Sequence, residues 1–209
     1  MQVRPERVAE LRADDLVLVL MDLQNDVVRP DGAFAPASGE QPRVDAAVEQ
    51  SARLLTWARG QGVPVAHVGV RYRPGHPEID RALALFRAVV EADALVEGTW
   101  GADFDARVAP LPGEWVVVKR GIDALAHNDL AVLCRLSGRR TLLLAGVQTD
   151  AVVLCTALTA GDHGLRPVVV EDACAGSSAE AHADALQITA MTAPAIRAED
   201  VLALAATTP

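Results

Sequence analysis

Three segments of this chain end in polar residues whose types could do chemistry together. Asp22 follows the aliphatic run Leu16–Met21, Lys119 ends a second run, and Gln148-Thr149-Asp150 follows a third run and leads into a helical pattern. If these ends meet, a carboxylate for acid/base work faces an ammonium group and the unpaired N–H donors of a helix start. The same residues would equally form a buried Asp–Lys pair and an N-cap at Asp150 or Thr149. Spacing alone leaves both interpretations open.

Each polar end belongs to a short, nearly continuous aliphatic run. Runs of this kind are typical of strands buried on both faces of a parallel sheet. We predict strands at Leu16–Met21, Val63–Val70, Trp115–Lys119, Thr141–Val147 and Pro167–Glu171, with a weaker sixth strand at Ala193–Ile196.

Between these runs, apolar residues recur with helical spacing. The predicted helical faces are Val44-Val48-Leu55-Ala58, ended by Gly60 and Gly62; Leu83-Phe86-Val90-Ala94; Leu130-Leu133-Leu136 before Gly138; Val153-Ala157-Ala160; Ala181-Ala185-Ile188-Thr192; and a short closing helix, Asp200–Ala206. The alternation predicts an α/β fold, a three-layer α/β/α domain with a doubly wound, six-stranded parallel sheet. No linker or repeat interrupts it, so residues 1–209 are expected to form a single domain.

Two stretches rich in Pro and Gly follow predicted strands, at Asp26–Pro42 and Arg71–Glu78. Loops that follow the strands of an open α/β sheet lie at its carboxyl edge, where such folds build their sites. We therefore expect both loops to border the crevice that contains Asp22 and Lys119.

Composition excludes several classes of function. A formal net charge of −9 disfavours a nucleic-acid partner. No apolar run approaches the roughly 20 residues of a spanning helix, so no membrane role is expected. The N-terminal residues 1–15 are charged where a signal peptide would be apolar. The three cysteines, Cys134, Cys155 and Cys174, are odd in number and lack CxxC spacing. These features predict a cytoplasmic protein without disulfides.

No nucleotide-binding or serine-hydrolase motif is present, since GxGxxG, GxxxxGK[ST], HExxH and GxSxG are all missing. His76 and Glu78 flank Pro77, and His67 lies within the second predicted strand. We interpret them as a solvated loop and a packed strand residue, because no third metal ligand has suitable spacing. No metal and no cofactor are expected.

Asp22-Leu-Gln-Asn-Asp26, Lys119-Arg120 and Ala145-Gly-Val-Gln-Thr-Asp150, in this order, resemble the isochorismatase-like, or cysteine hydrolase, superfamily. Glu171-Asp-Ala-Cys174 followed by His182 resembles a later segment of the same family. The resemblance runs from about Asp15 to Leu204. It implies a six-stranded parallel sheet and a catalytic Asp, Lys and Cys acting on small amides and ureides.

Carried over residue by residue, the resemblance places the aspartate at Asp22 and the lysine at Lys119. It also implies a cis peptide bond at Val147-Gln148 and an oxyanion hole made by backbone N–H groups there and at the nucleophile position. That position corresponds to Val152, which has no nucleophilic atom. Cys155 lies one turn further along the predicted helix, about 4.5 Å by helix rise, and we interpret it as a packing residue.

The superfamily offers a precedent without a thiol, because true isochorismatases keep the aspartate and the lysine, lack the cysteine and hydrolyse a vinyl ether. Asp22 would then protonate the vinyl carbon. Burial would raise the pKa of Asp22 and Lys119 would lower it, so the sequence leaves the sign open. His127-Asn-Asp-Leu130 is similar to a segment of some isochorismatases, whereas Gly121 and Asp123 depart from their usual Arg and Ser.

The predicted substrate-binding residues are Gln24, Arg71, Trp100 and Gln148. Arg71 suits a carboxylate, so a carboxylate-bearing or otherwise polar small molecule is expected, although Arg71 and Arg73 also fit a solvated loop around Tyr72. Trp100 resembles a family loop over the pocket and would also suit a subunit contact. Phe34 and Phe104 are candidate apolar walls. The resemblance implies a homodimer or homotetramer.

These observations predict an isochorismatase-like hydrolase of a small polar metabolite that works without a cysteine nucleophile. Asp22 is its general acid/base, Lys119 its electrostatic partner, and Gln148 and the N–H of Val152 its oxyanion donors. Two alternatives stay open. One is a catalytically silent protein of the same fold that binds a small molecule or serves as an assembly subunit, and the other is an amidase that uses Cys155.

Overall fold

A six-stranded parallel sheet organises the part of the chain that the structure, a computed structural model, describes, residues 11–204. The strands are β1 (Leu16–Met21), β2 (Val65–Val70), β3 (Trp115–Lys119), β4 (Thr141–Val147), β5 (Arg166–Ala175) and β6 (Ala195–Ile196). Their order across the sheet is β3-β2-β1-β4-β5-β6, and every neighbouring pair is parallel. The predicted doubly wound α/β fold is confirmed.

Three of the six strands match the predicted bounds, and the others differ for local reasons. Strand β2 begins at Val65, because Pro64 before it has no N–H to donate to a ladder. Strand β5 continues past Glu171 to Ala175, with a register shift against β4 between Leu144 and Gly146. The predicted burial on both faces is wrong for β3, which is an edge strand with two outward-facing valines partly exposed.

Seven α-helices flank the sheet in the described region. They are α1 (Asn25–Val28), α2 (Gln41–Gln61), α3 (Ala84–Glu91), α4 (Leu130–Ser137), α5 (Leu154–Thr159), α6 (Ala179–Thr189) and α7 (Ala198–Leu202). Helix α2 ends at Gly62, which has the left-handed φ of 64° that glycine accepts without strain. Gly60, predicted to help end this helix, instead lies within it.

The predicted helical faces are corrected at several places: Ile188 of α6 is 46% exposed, and Ala94 and Ala160 lie beyond the ends of α3 and α5. Leu136 of α4 is 81% exposed, and Leu83 precedes α3 and is 53% exposed, so neither packs on the sheet. Thr192 lies beyond the end of α6. The closing helix begins at Ala198 and ends at Leu202; residues 205 and 206, which were expected to continue it, lie outside the described residues. Residues 1–10, on which the signal-peptide argument partly rests, also lie outside them.

The core has two apolar layers, one on each face of the sheet. Alternate residues of β1 define them: Leu18 and Leu20 pack on the side of α2, and Val17 and Val19 pack on the side of α4 and α5. The period of two along a strand sends successive side chains to opposite faces, so one aliphatic run serves both layers. Within the described residues, no helix is long and apolar enough to cross a membrane.

Gly146, near the end of β4, marks the closest approach of two strands at the carboxyl edge. A Cβ placed there would lie 2.2 Å from the carbonyl oxygen of Met21 on β1, and its φ is 152°. Backbone atoms of a central strand cannot move away cheaply, so this position requires glycine.

We expect Gly146→Ala to lower the free energy of unfolding by at least about 1–3 kcal/mol, the usual cost of overpacking a core. The matched control is Gly60→Ala, which meets no atom within 4 Å inside α2. It should raise stability by about 0.5–1 kcal/mol through reduced backbone entropy. Urea unfolding of both variants measures the difference, and equal stability of Gly146→Ala and the wild type would contradict the assignment.

Candidate active site

Asp22 and Lys119 meet at the carboxyl edge of the sheet. Asp22 follows β1 and Lys119 ends β3, and the Lys119 side chain reaches past β2 to place Nζ 2.9 Å from Asp22 Oδ2. Both side chains are almost entirely shielded from solvent. The predicted convergence of these two strand ends is therefore present in the structure.

The ammonium group of Lys119 has an acceptor for each of its three N–H bonds. Besides Asp22, it donates to the carbonyl oxygens of Gly121 and Ile122, each at 2.9 Å. A buried cation needs this degree of compensation, because an unpaired charge in a low-dielectric interior is very costly. Lys119 thus holds the carboxylate and the loop after β3 together.

Asp22 is held in an unusual conformation with one oxygen free. Its φ is 56°, in the left-handed region that few residues other than glycine adopt, and its N–H donates to the carbonyl of Val68 at 2.9 Å. Its Oδ1 is buried and has no hydrogen-bond partner among the described residues. A buried carboxylate oxygen without a partner in a cleft is an expected feature of a group that receives a ligand.

Burial raises the pKa of Asp22 above its ordinary value, and the charge and hydrogen bond of Lys119 only partly offset this rise. The structure therefore decides the sign that the sequence left open. Nearby, burial also raises the pKa of Tyr72 to about 12, and the Tyr72 hydroxyl donates to the carbonyl of Arg120 at 3.0 Å.

Asp22 and Lys119 lie in the wall of a small, mostly apolar cavity of about 70 Å³. The polar lining residues are Asp22, Ser38, Tyr72, Lys119 and Gln148. The remaining lining residues are Val27, Phe34, Val70, Leu85, Phe86, Val89, Leu95, Gly121, Ile122, Val147, Ala151 and Val152. An apolar pocket with a few convergent polar groups and a perturbed carboxyl group is typical of a small-molecule site.

The junction between β4 and α5 forms one side of this cavity. The Val147-Gln148 peptide bond is cis, as the resemblance implied. A turn of π-helix, Thr149–Val153, follows it and leads into α5. Within this turn Val152 is 1% exposed, belongs to the apolar core and lines the cavity.

The expected N-cap at Thr149 or Asp150 is not formed, because Gln148 occupies the N-cap position and no side chain caps this turn. Instead, Asp150 accepts hydrogen bonds from the N–H of Ser177 at 2.9 Å and from its hydroxyl at 2.5 Å. Thr149 Oγ1 lies 2.7 Å from Nδ1 of His182. These contacts attach the turn to the start of α6.

All three cysteines are free thiols, and none lies in the cavity wall. Burial raises the pKa of Cys134 to about 11 and that of Cys174 to about 12. The pKa of Cys155 is raised by burial and by the charge of Asp123, against a smaller opposing effect of Lys119. Each group is therefore a protonated thiol near neutral pH, the unreactive form.

Comparison with known proteins assigns this arrangement to a family. An isochorismatase domain model matches residues 16–200, which include β1 to β6 and both charged residues of the cavity. The chain belongs to the isochorismatase family. It is thus an isochorismatase-like hydrolase by family, with the small-molecule cavity at the expected edge of the sheet.

Individual relatives agree with this family assignment. The chain is 40% identical over 135 residues to a maleamate amidohydrolase of Pseudomonas putida, a match that covers 65% of this chain and 62% of that relative. It is 30% identical over 183 residues to the phenazine biosynthesis protein PhzD of Pseudomonas fluorescens, covering 83% and 78%. An isochorismatase family protein from Desulfovibrio vulgaris superposes with a TM-score of 0.79 at 28% identity, covering 90% and 98%.

Three of the predicted substrate-binding residues lie outside the wall of the isochorismatase-like cavity. The amide of Gln24 donates to the carbonyls of Val70 and Ala102 and accepts from the N–H of Val70, each at 2.7 Å, so its hydrogen-bonding capacity is used by backbone. The Arg71 guanidinium carbon lies 6.0 Å from the ring centroid of Phe104. Trp100 is 50% exposed on a short 3₁₀ turn.

Gln148 and Phe34, in contrast, do line the cavity. The side-chain amide of Gln148 donates to the carbonyl of Ala37. Phe104 packs instead on His67, with ring centroids 5.6 Å apart. Of the predicted groups around the crevice, the structure therefore brings together Asp22, Lys119, Phe34, Gln148 and Val152.

The predicted packing role of His67 is consistent with its burial in β2, where Nε2 lies 2.9 Å from a carboxylate oxygen of Glu114. His76, expected in a solvated loop, is buried, and its Nε2 lies 2.8 Å from the carbonyl oxygen of Ala94. Glu78 pairs with Arg73 at 2.7 Å. Within residues 11–204, no group of three or more His, Cys, Asp or Glu side chains is placed to hold a metal ion.

Helix α3 is the part of the site that the sequence analysis missed. Leu85, Phe86 and Val89 line the cavity, although the periodic pattern suggested only a helix packed on the sheet. A signal was available, since this helix follows the Pro- and Gly-rich loop Arg71–Glu78, which was already expected to border the crevice.

The raised pKa of Asp22 predicts how its contribution to stability depends on pH. A folded-state pKa above the unfolded one gives stability that is complete below the ordinary pKa of the carboxyl group and is lost as pH rises through the raised value. We therefore expect the free energy of unfolding of Asp22→Asn, relative to that of the wild type, to increase as pH rises from about 4 towards 8. Urea unfolding at several pH values measures this difference. A difference that decreases with pH would mean that Lys119 outweighs burial.

Proposed function

We propose that this protein hydrolyses a small metabolite without a thiol nucleophile, using Asp22 as general acid/base and Lys119 as its electrostatic partner. Cleavage of a vinyl ether, or of a related C–O or C–N bond, is the reaction class. The observation that carries the proposal is the buried Asp22 carboxyl group in the cavity, with one oxygen on Lys119, the other free, and a raised pKa.

The absence of a nucleophilic cysteine at the family's position is part of this proposal. Val152 stands there and lines the cavity, and the three thiols lie elsewhere with raised pKa values. Cys155 is half-buried on α5 outside the wall, which argues against its use as the nucleophile of an amidase.

The proposed reaction begins with proton transfer from the free oxygen of Asp22 to the terminal carbon of the vinyl ether. The C=C electron pair forms the new C–H bond, and the other carbon becomes an oxocarbenium ion. Water adds to that carbon and returns a proton to Asp22. The resulting hemiketal then collapses to an alcohol and a carbonyl compound, so one water is consumed in total.

Lys119 would stabilise the step in which Asp22 loses its proton. Its ammonium nitrogen is 2.9 Å from Oδ2 of Asp22. The carboxylate therefore forms beside a fixed positive charge rather than in apolar surroundings without a compensating charge. The carboxylate in turn stabilises the oxocarbenium ion. Gln148 and the N–H of Val152 are the proposed donors to oxygen atoms of the substrate or intermediate.

The names of the relatives support a small metabolite as substrate. They include a maleamate amidohydrolase, the phenazine biosynthesis protein PhzD and a ureidoacrylate amidohydrolase of Methylorubrum extorquens. These names span more than one bond type, so the reaction class of this chain is inferred from its own cavity.

The remaining features of the proposal concern the whole chain. We propose a single domain over residues 1–209, working in the cytoplasm as a homodimer or homotetramer without metal or cofactor. Free thiols suit a reducing compartment. The exposed apolar side chain of Trp100 suits a subunit contact.

We expect Asp22→Asn to reduce kcat by about 10²–10⁴-fold, because it removes the proton donor. The probes are 2-methoxyacrylate and its methyl ester, whose hydrolysis gives methanol and pyruvate or methyl pyruvate. Proton NMR in D₂O follows the product, which should carry one deuterium on its methyl carbon. Wild-type kcat should fall as pH rises through the raised pKa of Asp22.

The matched control is Asp162→Asn, an equal change at an exposed position in the turn before β5, at the opposite edge of the sheet. It should retain wild-type turnover. Full activity of Asp22→Asn on either probe would refute the proposed role of Asp22.

The second candidate function is a silent binding protein of the same fold. It is favoured by the aliphatic Val152 side chain at the cavity wall and by the full engagement of the Lys119 ammonium group. Saturable binding of either probe, with no product by NMR at any pH tested, would select this candidate.

We expect Val152→Cys to place a reactive thiol in the cavity. Chloroacetamide should label residue 152 faster than the three native cysteines, whose pKa values are raised by burial. The variant should also gain hydrolysis of crotonamide, an uncharged amide, measured as ammonia release. Peptide mapping locates the label, with the wild type as control. Labelling of wild-type Cys155 that blocks turnover would instead support an amidase using that thiol.

A further inference from the structure

We propose that the cavity selects an uncharged molecule, one that offers a polar group to Asp22 and an apolar body to the remaining wall, and that it rejects carboxylates. This inference rests on the proposed function only in taking this cavity as the substrate site. The sequence predicts a carboxylate-bearing or otherwise polar ligand, and this inference restricts that class to uncharged molecules. A protein with this selectivity differs from an enzyme for maleamate, which carries a carboxylate.

The first step is the state of the one cation in the wall. All three N–H bonds of the Lys119 ammonium are engaged, by Asp22 and by the carbonyls of Gly121 and Ile122. A ligand carboxylate could reach this cation only by displacing one of these acceptors.

The other polar groups of the wall already have partners in the protein. Ser38 Oγ donates to the carbonyl of Phe34 at 3.3 Å, the Tyr72 hydroxyl donates to that of Arg120, and the Gln148 amide donates to that of Ala37. Among the lining side chains, Oδ1 of Asp22 is the buried polar atom without a partner in the described residues. The lining side chains therefore offer a ligand one unpaired buried polar atom.

No arginine is among the described residues that line the cavity. Arg71 lies against the ring of Phe104, and Arg120 is exposed; neither lines the wall. A carboxylate inside would lose its hydration without gaining a charged partner, which is the situation that buried ion sites avoid.

The apolar wall selects in the same direction. Leu85, Phe86 and Val89 of α3 contribute apolar side chains to the lining, and Phe34 and Ile122 are among the other apolar lining residues. Leu85 is 37% exposed and thus lies at the mouth, where a longer side chain can extend into solvent. Leu83, one residue before the helix, is more exposed and does not line the cavity.

Binding of two unreactive ethers tests the proposal without requiring turnover. The probes are 2-methoxypropanamide and 2-methoxypropanoate, which have the same shape and differ in charge. Titration calorimetry on the wild-type chain should show the amide binding at least about tenfold more tightly. Equal affinity, tighter binding of the carboxylate, or no binding of the amide would overturn the proposal.

Supplying a cation at the mouth should reverse the preference. In Leu85→Arg the ratio of the two dissociation constants should move towards the carboxylate by at least about tenfold. Leu83→Arg adds the same charge to the same segment outside the wall and should keep the wild-type ratio. An equal shift of this ratio in both variants would show a general effect of charge and would overturn the proposal. Loss of carboxylate binding in Arg71→Gln would show that Arg71 enters the site, and this result would also overturn it.

The outcomes also separate this proposal from the proposed function. Preferential binding of the amide without turnover of any enol ether leaves the selectivity intact and removes the hydrolase chemistry. Turnover of 2-methoxyacrylate in preference to its methyl ester, together with tighter binding of the carboxylate ether, would support the hydrolase chemistry. The same result would overturn the proposed selectivity for uncharged molecules.

Discussion

The desolvated pair formed by Asp22 and Lys119 is the constraint on which the rest of the site depends. Two opposite charges 2.9 Å apart at a buried edge need further compensation. The chain supplies it only to the lysine, through two loop carbonyls, and leaves one carboxylate oxygen free. The imbalance favours the protonated acid and raises its pKa.

The order of the strands places the ends of β1 and β3, which carry Asp22 and Lys119, at the same edge of the sheet. With β1 next to β2 on one side and β4 on the other, the chain reverses its direction of growth at β1, and the crevice opens at the carboxyl ends there. A glycine at position 146 lets β4 approach β1 closely, and the turn after β4 brings Gln148 and Val152 into the same wall. The polar residues lie at the ends of the strands, where burial inside a parallel sheet no longer requires aliphatic side chains.

The fold and the centre of the site could be predicted because both depend on local patterns. Aliphatic runs located β1, β3 and β4 to the residue, and the polar strand ends identified Asp22 and Lys119. The loops were harder, because their side chains satisfy partners that are distant in sequence. Gln24 bonds to backbone 46 and 78 residues away, and the sign of the Asp22 pKa shift depends on burial. Neither property is encoded in nearby spacing.

Lys119 is also a structural tie, since the same ammonium group that balances Asp22 holds the carbonyls of Gly121 and Ile122, and these two residues form part of the cavity wall. One atom, Nζ of Lys119, therefore affects both the charge beside Asp22 and the shape of the cavity wall. Removing the amine changes the charge beside the acid and releases the backbone that shapes the pocket at the same time. Rate losses in Lys119 variants consequently combine two causes, and the flexibility of residues 121 and 122 is the quantity that separates them.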